Sequence, residues 1–106
     1  MEITLKISKM ESGQEWRIGT LAFDESHNGT LTIQQEGADA EVLRQAWAEI
    51  SKMESLPFEF SERVEVNGEK VTKHKAVMTR KGEPRYTDAV WGYLESKYKF
   101  LVDQKL

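Results

Sequence analysis

No cysteine occurs in this chain of 106 residues, and only two prolines and two histidines do. The missing thiols exclude a disulfide framework, thiolate zinc sites and a cysteine nucleophile together, and they suit a protein of the reducing cytoplasm. No apolar run approaches the roughly 18 residues that span a bilayer. Residues Met1 to Ile7 alternate apolar and polar side chains, unlike the basic start and unbroken apolar stretch of a signal peptide. The expectation is a soluble, cytoplasmic protein with no membrane partner.

Chemistry-bearing motifs are equally scarce. There is no Gly-x-Ser-x-Gly elbow, no phosphate-cradling Gly-x-x-x-x-Gly-Lys-Ser/Thr loop and no Gly-x-Gly-x-x-Gly turn. His27 sits in a polar turn, and His74 lies between Lys73 and Lys75, whose charges disfavour its protonated form. Two histidines without cysteine make a poor metal site. The abundant carboxylates, such as Glu59, Glu62 and Glu65, alternate with apolar residues or fall in turns, which is the pattern of a solvated face. No cofactor, metal or catalytic residue is expected, and the chain carries no motif specific enough to name a family.

What the chain does have is enough material for one folded domain over residues 1–106. Apolar residues reach only 39%, but three Trp, four Phe and three Tyr bury large areas each, so a core is feasible. Net charge is −3, which argues against a dedicated nucleic-acid binder. The charge is unevenly spread: residues 1–66 hold 6 Lys and Arg against 13 Asp and Glu, and residues 67–106 hold 9 against 5. That asymmetry bears on association rather than on fold.

Ile3, Leu5 and Ile7 alternate with polar residues as in a half-buried strand, broken at Ser12-Gly13. A second strand covers Glu15 to Phe23. Trp16 and Ile18 share one parity and Leu21 and Phe23 the other, which predicts a bulge near Gly19. Asn28-Gly29 signals a turn into a third strand, Thr30 to Gln35. Asp39 is a suitable N-cap for a helix whose apolar stripe is Leu43, Ala46, Trp47, Ile50 and Met53, with Glu41, Arg44, Gln45, Glu49 and Lys52 outside. Leu56-Pro57 stops it.

Phe58, Phe60, Val64 and Val66 share a parity, and Asn67-Gly68 follows, the strongest short-range hairpin signal. A two-residue turn there pairs Val66 with Glu69, Glu65 with Lys70, Val64 with Val71 and Glu62 with Lys73. Continuing that register sets Lys75 against Phe60 on the apolar side, so a bulge near His74 is expected. A last helix runs through Ala89 or Val90, Trp91, Leu94 and Tyr98 with Thr87 as N-cap. Gly92 within it is suited to close packing, and Phe100 to Val102 form a short strand or a core plug. The expected architecture is α+β: an antiparallel sheet of about five strands in the order β-β-β-α-β-β-α, with both helices on one face. Trp16, Trp47 and Trp91 belong to the expected core.

One stretch stands out as a candidate surface. Between residues 70 and 86, Lys70, Lys73, Lys75, Arg80, Lys81 and Arg85 face a single acid, Glu83. Arg80, Lys81 and Arg85 fall near the last helix's N-terminus, whose free N–H groups favour anions. Lys73, Lys75, Arg80, Lys81, Arg85 and Tyr86 are therefore the candidate anion- or partner-binding residues. Against this, the predicted hairpin pairs neutralise Lys70 and Lys73. Tyr86, Tyr93 and Tyr98 are free to stack on a partner. The leading expectation is a non-enzymatic protein-interaction module (an adaptor, regulator, inhibitor or subunit) that uses its sheet face or charged surface. The alternative is a weak electrostatic nucleic-acid or phosphate binder using residues 70–86.

Overall fold

The computed structural model describes residues 2–105. Six strands and two helices follow in the order β1 (Ile3–Glu11), β2 (Gln14–Phe23), β3 (Gly29–Ile33), α1 (Ala38–Lys52), β4 (Ser55–Val66), β5 (Glu69–Arg80), α2 (Tyr86–Tyr98) and β6 (Leu101–Lys105). The class is α+β and the sheets are antiparallel, as the residue patterning predicts. The strands do not form one sheet, however. They divide into a four-stranded sheet ordered β3-β2-β1-β6 and a separate two-stranded ribbon, β4-β5.

The β1–β2 hairpin closes on Ser12-Gly13, both at positive φ. Ile7 pairs with Gly19 but Ser8 with Arg17, leaving Ile18 as the extra residue of a bulge at the expected place. The Ile18 carbonyl that the bulge frees accepts the backbone N–H groups of Gln34 and Gln35, at 2.8 and 3.2 Å. Gly19 is required there, because a Cβ would lie 2.5 Å from the Thr32 carbonyl oxygen. Beyond the bulge, Trp16 is 40% exposed instead of joining the core.

Leu5, Ile7, Leu21 and Phe23 line the sheet's inner face, where α1 contributes Leu43, Ala46 and Ile50 and α2 contributes Ala89, Val90 and Leu94. Trp47 and Trp91 pack at its margin, partly buried. The outer face is polar, with Thr4, Lys6, Thr20, Thr30 and Thr32. The turn into β3 is closed one residue earlier than expected: Asp24 Oδ1 accepts the N–H groups of Ser26 and Asn28, and His27 takes the positive φ. Gly29 already belongs to the strand and lies flush against Trp47.

Helix α1 begins at Ala38 with Gly37 as N-cap, not Asp39. Gly37 turns the chain at φ 149, which only glycine tolerates readily, so Asp39 and Glu41 fall inside the first turn and complement the helix dipole. Helix α2 likewise starts ahead of the expected cap, at Tyr86. Thr87 lies inside the helix and is buried, because Glu83 organises the preceding turn: its carboxylate accepts the Arg80 N–H and its carbonyl the Tyr86 N–H. Lys99 ends α2 in the left-handed region, where the Phe100 N–H returns to the Leu94 carbonyl. Phe100 plugs the core and the chain then pairs with β1 as β6.

Candidate interaction surface

Asn67 and Gly68, both at positive φ, close β4 and β5 into a ribbon of twelve consecutive pairs from Val66–Glu69 to Ser55–Arg80. The expected pairs Glu65–Lys70, Val64–Val71 and Glu62–Lys73 are present, but the expected bulge near His74 is absent. Phe60 stands directly opposite Lys75. No bulge is needed, because the free edge of β1 is taken by β6 and that of β2 by β3. The ribbon is thus left outside the sheet, and beyond Leu56 and Phe58 its apolar parity does not face the core.

Only its root is anchored. Leu56 and Thr79 are buried, and α2 packs along β4 there. Toward the tip β5 is exposed at every residue from Glu69 to Met78. At about 3.4 Å per residue, each strand reaches roughly 40 Å from root to tip, consistent with a molecule 54 Å in its longest dimension. Pairing register puts Phe58, Phe60, Val64, Val66, Val71 and Val77 on one face of this arm, interspersed with Glu62, Glu69, Lys73 and Lys75. Phe58 and Phe60 stack at 5.8 Å between ring centroids. Val66, Val71 and Val77 are exposed, and Phe60 and Val64 are half-buried. This strip was not legible as a surface in the sequence, since the same alternation describes a core strand.

The cations separate by role. Lys81 reaches the Ser51 carbonyl in the last turn of α1, satisfying a helix-end acceptor and meeting the negative end of its dipole. Arg85 lies over the Phe58 ring, 5.6 Å from its centroid. Lys75 pairs with Glu62 at 2.6 Å, both half-exposed. Lys70, Lys73 and Arg80 have no ion pair among the described residues. Lys81 and Arg85 thus each have a contact within the chain, and Arg80 and Lys81 border one shallow pocket with Lys52 and Glu54. Lys70 and Lys73, which register pairing was expected to neutralise, are without an ion pair among the described residues.

Tyr86 is buried, its hydroxyl has no partner among the described residues, and its acidity is lowered by burial. It lines a cavity of about 150 Å³ with Phe23, His27, Trp47 and Lys81. The other two tyrosines are engaged as well. Tyr93, Tyr98 and Lys97 of α2 all bond the Glu49 carboxylate of α1, the first at 2.8 Å and Lys97 at 2.5 Å. These donors favour the charged carboxylate, led by Lys97, and hold its pKa down to about 2. Arg44 does the same for Glu36, holding that carboxyl below its ordinary value. Such carboxylates stay ionised and act as clamps, unsuited to shuttling protons near neutral pH.

On the arm's other face Ser61 Oγ lies 3.1 Å from His74 Nδ1. Among the described residues no carboxylate bonds His74, so nothing orients its ring as a nucleophile's base requires. No group of three or more His, Asp or Glu among them could hold a metal ion, and no helix among them is long and apolar enough to cross a membrane. No protein-family model, curated protein or solved structure matches the chain.

Proposed function

We propose that this chain is a protein-interaction module that docks another protein on the apolar face of the β4–β5 arm, acting by binding rather than catalysis, in a reducing compartment. One observation carries the reading: a two-stranded ribbon presents Phe60, Val64, Val66, Val71 and Val77 on one face, the three other than Phe60 and Val64 exposed, and no helix or strand among the described residues is laid over them. A two-stranded ribbon with both faces in water is marginally stable. A partner surface laid on the strip supplies the missing layer, as a third layer does in larger folds.

A second copy joined only through this face falls short of a stable interface, and a different protein reaches that size by extending its contact past the strip. The face measures roughly 40 by 10 Å, so two arms face to face bury about 800 Å² in total. Stable interfaces need about 1,200–2,000 Å². A nucleic-acid or phosphate partner would draw chiefly on Lys70, Lys73 and Arg80, since Lys81 and Arg85 are held within the chain.

The test is a photo-crosslinking amino acid placed at Phe60, and at Thr20 on the polar sheet face, in cells that natively hold the protein. The reading expects a discrete protein adduct from position 60, none from position 20, and loss of the adduct when Val71→Asp is added. Adducts from both positions equally, or an adduct indifferent to Val71→Asp, would contradict it.

A further inference from the structure

The arm has edges as well as faces, and its two edges differ. In a two-residue hairpin the residues flanking the turn, Val66 and Glu69, form a hydrogen-bonded pair, and the ladder alternates from there. The N–H and C=O groups of Lys70, Thr72, His74, Ala76 and Met78 therefore point away from β4, along an edge that no strand among the described residues occupies. On β4 the outward positions include Pro57, which has no N–H, and α2 packs against that strand's root. The edge open along its whole length is β5, whereas β4 is open only toward the tip.

Charge decides what can join it. Strand β5 carries Lys70, Lys73, Lys75 and Arg80 against one acid, Glu69, and of these cations only Lys75 is ion-paired among the described residues. Lysines on an edge repel a second basic strand, so two β5 edges meeting would set like charges side by side. The same lysines attract an acidic one, and this difference is a specificity device. We infer that the partner contributes an extended acidic segment that adds to the β5 edge as a third strand. This rests on the arm being the docking surface, and it names the chemistry of what docks there: backbone ladder bonds for affinity, and carboxylates beside Lys70 on one face or Lys73 on the other for selection.

The experiment uses the full chain, isotope-labelled, with two synthetic octapeptides, one alternating Glu and Val and the other alternating Lys and Val. The acidic peptide is expected to slow amide exchange at Thr72, His74 and Ala76 by at least about tenfold and the basic peptide to leave it unchanged. A Lys70→Glu/Lys73→Glu double variant is expected to reverse that preference, which keeps the test independent of any one fold effect. Equal responses to both peptides, or no slowing at those amides, would overturn the inference. Shifts at the Val71 and Val77 methyls without amide protection would overturn strand addition while leaving the docking face standing. Concentration-dependent head-to-tail oligomers of the chain alone would assign the acidic strand to β4 of a second copy and overturn a foreign one.

Discussion

Phe60 faces Lys75 across the β4–β5 ladder, and the twelve pairs run past them without a bulge. In a strand buried on one side this juxtaposition would be untenable, because an ammonium would be taken from water without compensation. It is tolerated because that face is open: Lys75 turns to Glu62 at 2.6 Å and both stay half-solvated. The pair marks the point where the chain's apolar alternation stops serving its core.

Stability should therefore ignore the arm's strip and depend on its root. Phe60→Ser or Val64→Asp is expected to shift the urea unfolding free energy by less than about 1 kcal/mol. Leu56→Ala, at a fully buried position, is expected to cost about 2–5 kcal/mol. Equal losses at both places would mean that the strip is covered within the chain.

Two glycines should respond to alanine with opposite signs. Gly19→Ala sets a Cβ 2.5 Å from the Thr32 carbonyl oxygen and 3.3 Å from Leu43, and is expected to destabilise by roughly 1–3 kcal/mol. Gly92 in α2 meets nothing within 4 Å. It borders an open groove beside β4 rather than allowing close packing, so Gly92→Ala is expected to stabilise by about 1 kcal/mol. Thermal melts of the two variants check both signs.

Acid sensitivity should trace to the clamp between the helices. Glu49 is held at about 2 in the folded chain, below the ordinary carboxyl value of 4.5. A depressed folded pKa contributes stability that is fully present above the unfolded pKa, and that is lost as pH falls from there through the folded value. Urea midpoints should thus fall between pH 5 and pH 2, windows set by that shift. Glu49→Gln should flatten the fall, with the Glu36–Arg44 pair leaving a residual slope. An unchanged pH profile in the variant would contradict the clamp.

The buried Tyr86 hydroxyl has no protein partner among the described residues, so Tyr86→Phe removes a polar group without changing the packing volume appreciably. The variant is expected to be at least as stable as the parent by calorimetry, since an unmade buried hydrogen bond costs about 1–3 kcal/mol.

Local signals were read well where local chemistry decides the outcome. Asn67-Gly68 announced the register of its hairpin, the parity change at Gly19 announced the bulge, and the stripe from Leu43 to Ile50 announced α1. What escaped depends on residues distant in the chain. The Glu49 carboxylate meets Tyr93 and Tyr98 across 44 and 49 positions. Strand β6 claims the edge of β1 from the far end of the chain, which is why β4 and β5 stand apart. Period-two alternation says which side chains share a face, not whether anything covers that face. The charge count over residues 70–86 accordingly singled out Lys73, Lys75, Arg80, Lys81, Arg85 and Tyr86, while the exposed valines nearer the tip carried no separate signal.

The most direct measurement is residue-resolved amide hydrogen exchange on the chain alone and on its complex with the protein captured at Phe60. Alone, amides of residues 59–76 should exchange far faster than those of the paired β1 and β2. In the complex they should become protected while the four-stranded sheet is unchanged. Strong protection of the arm in the free chain, or new protection confined to the four-stranded sheet, would contradict the account.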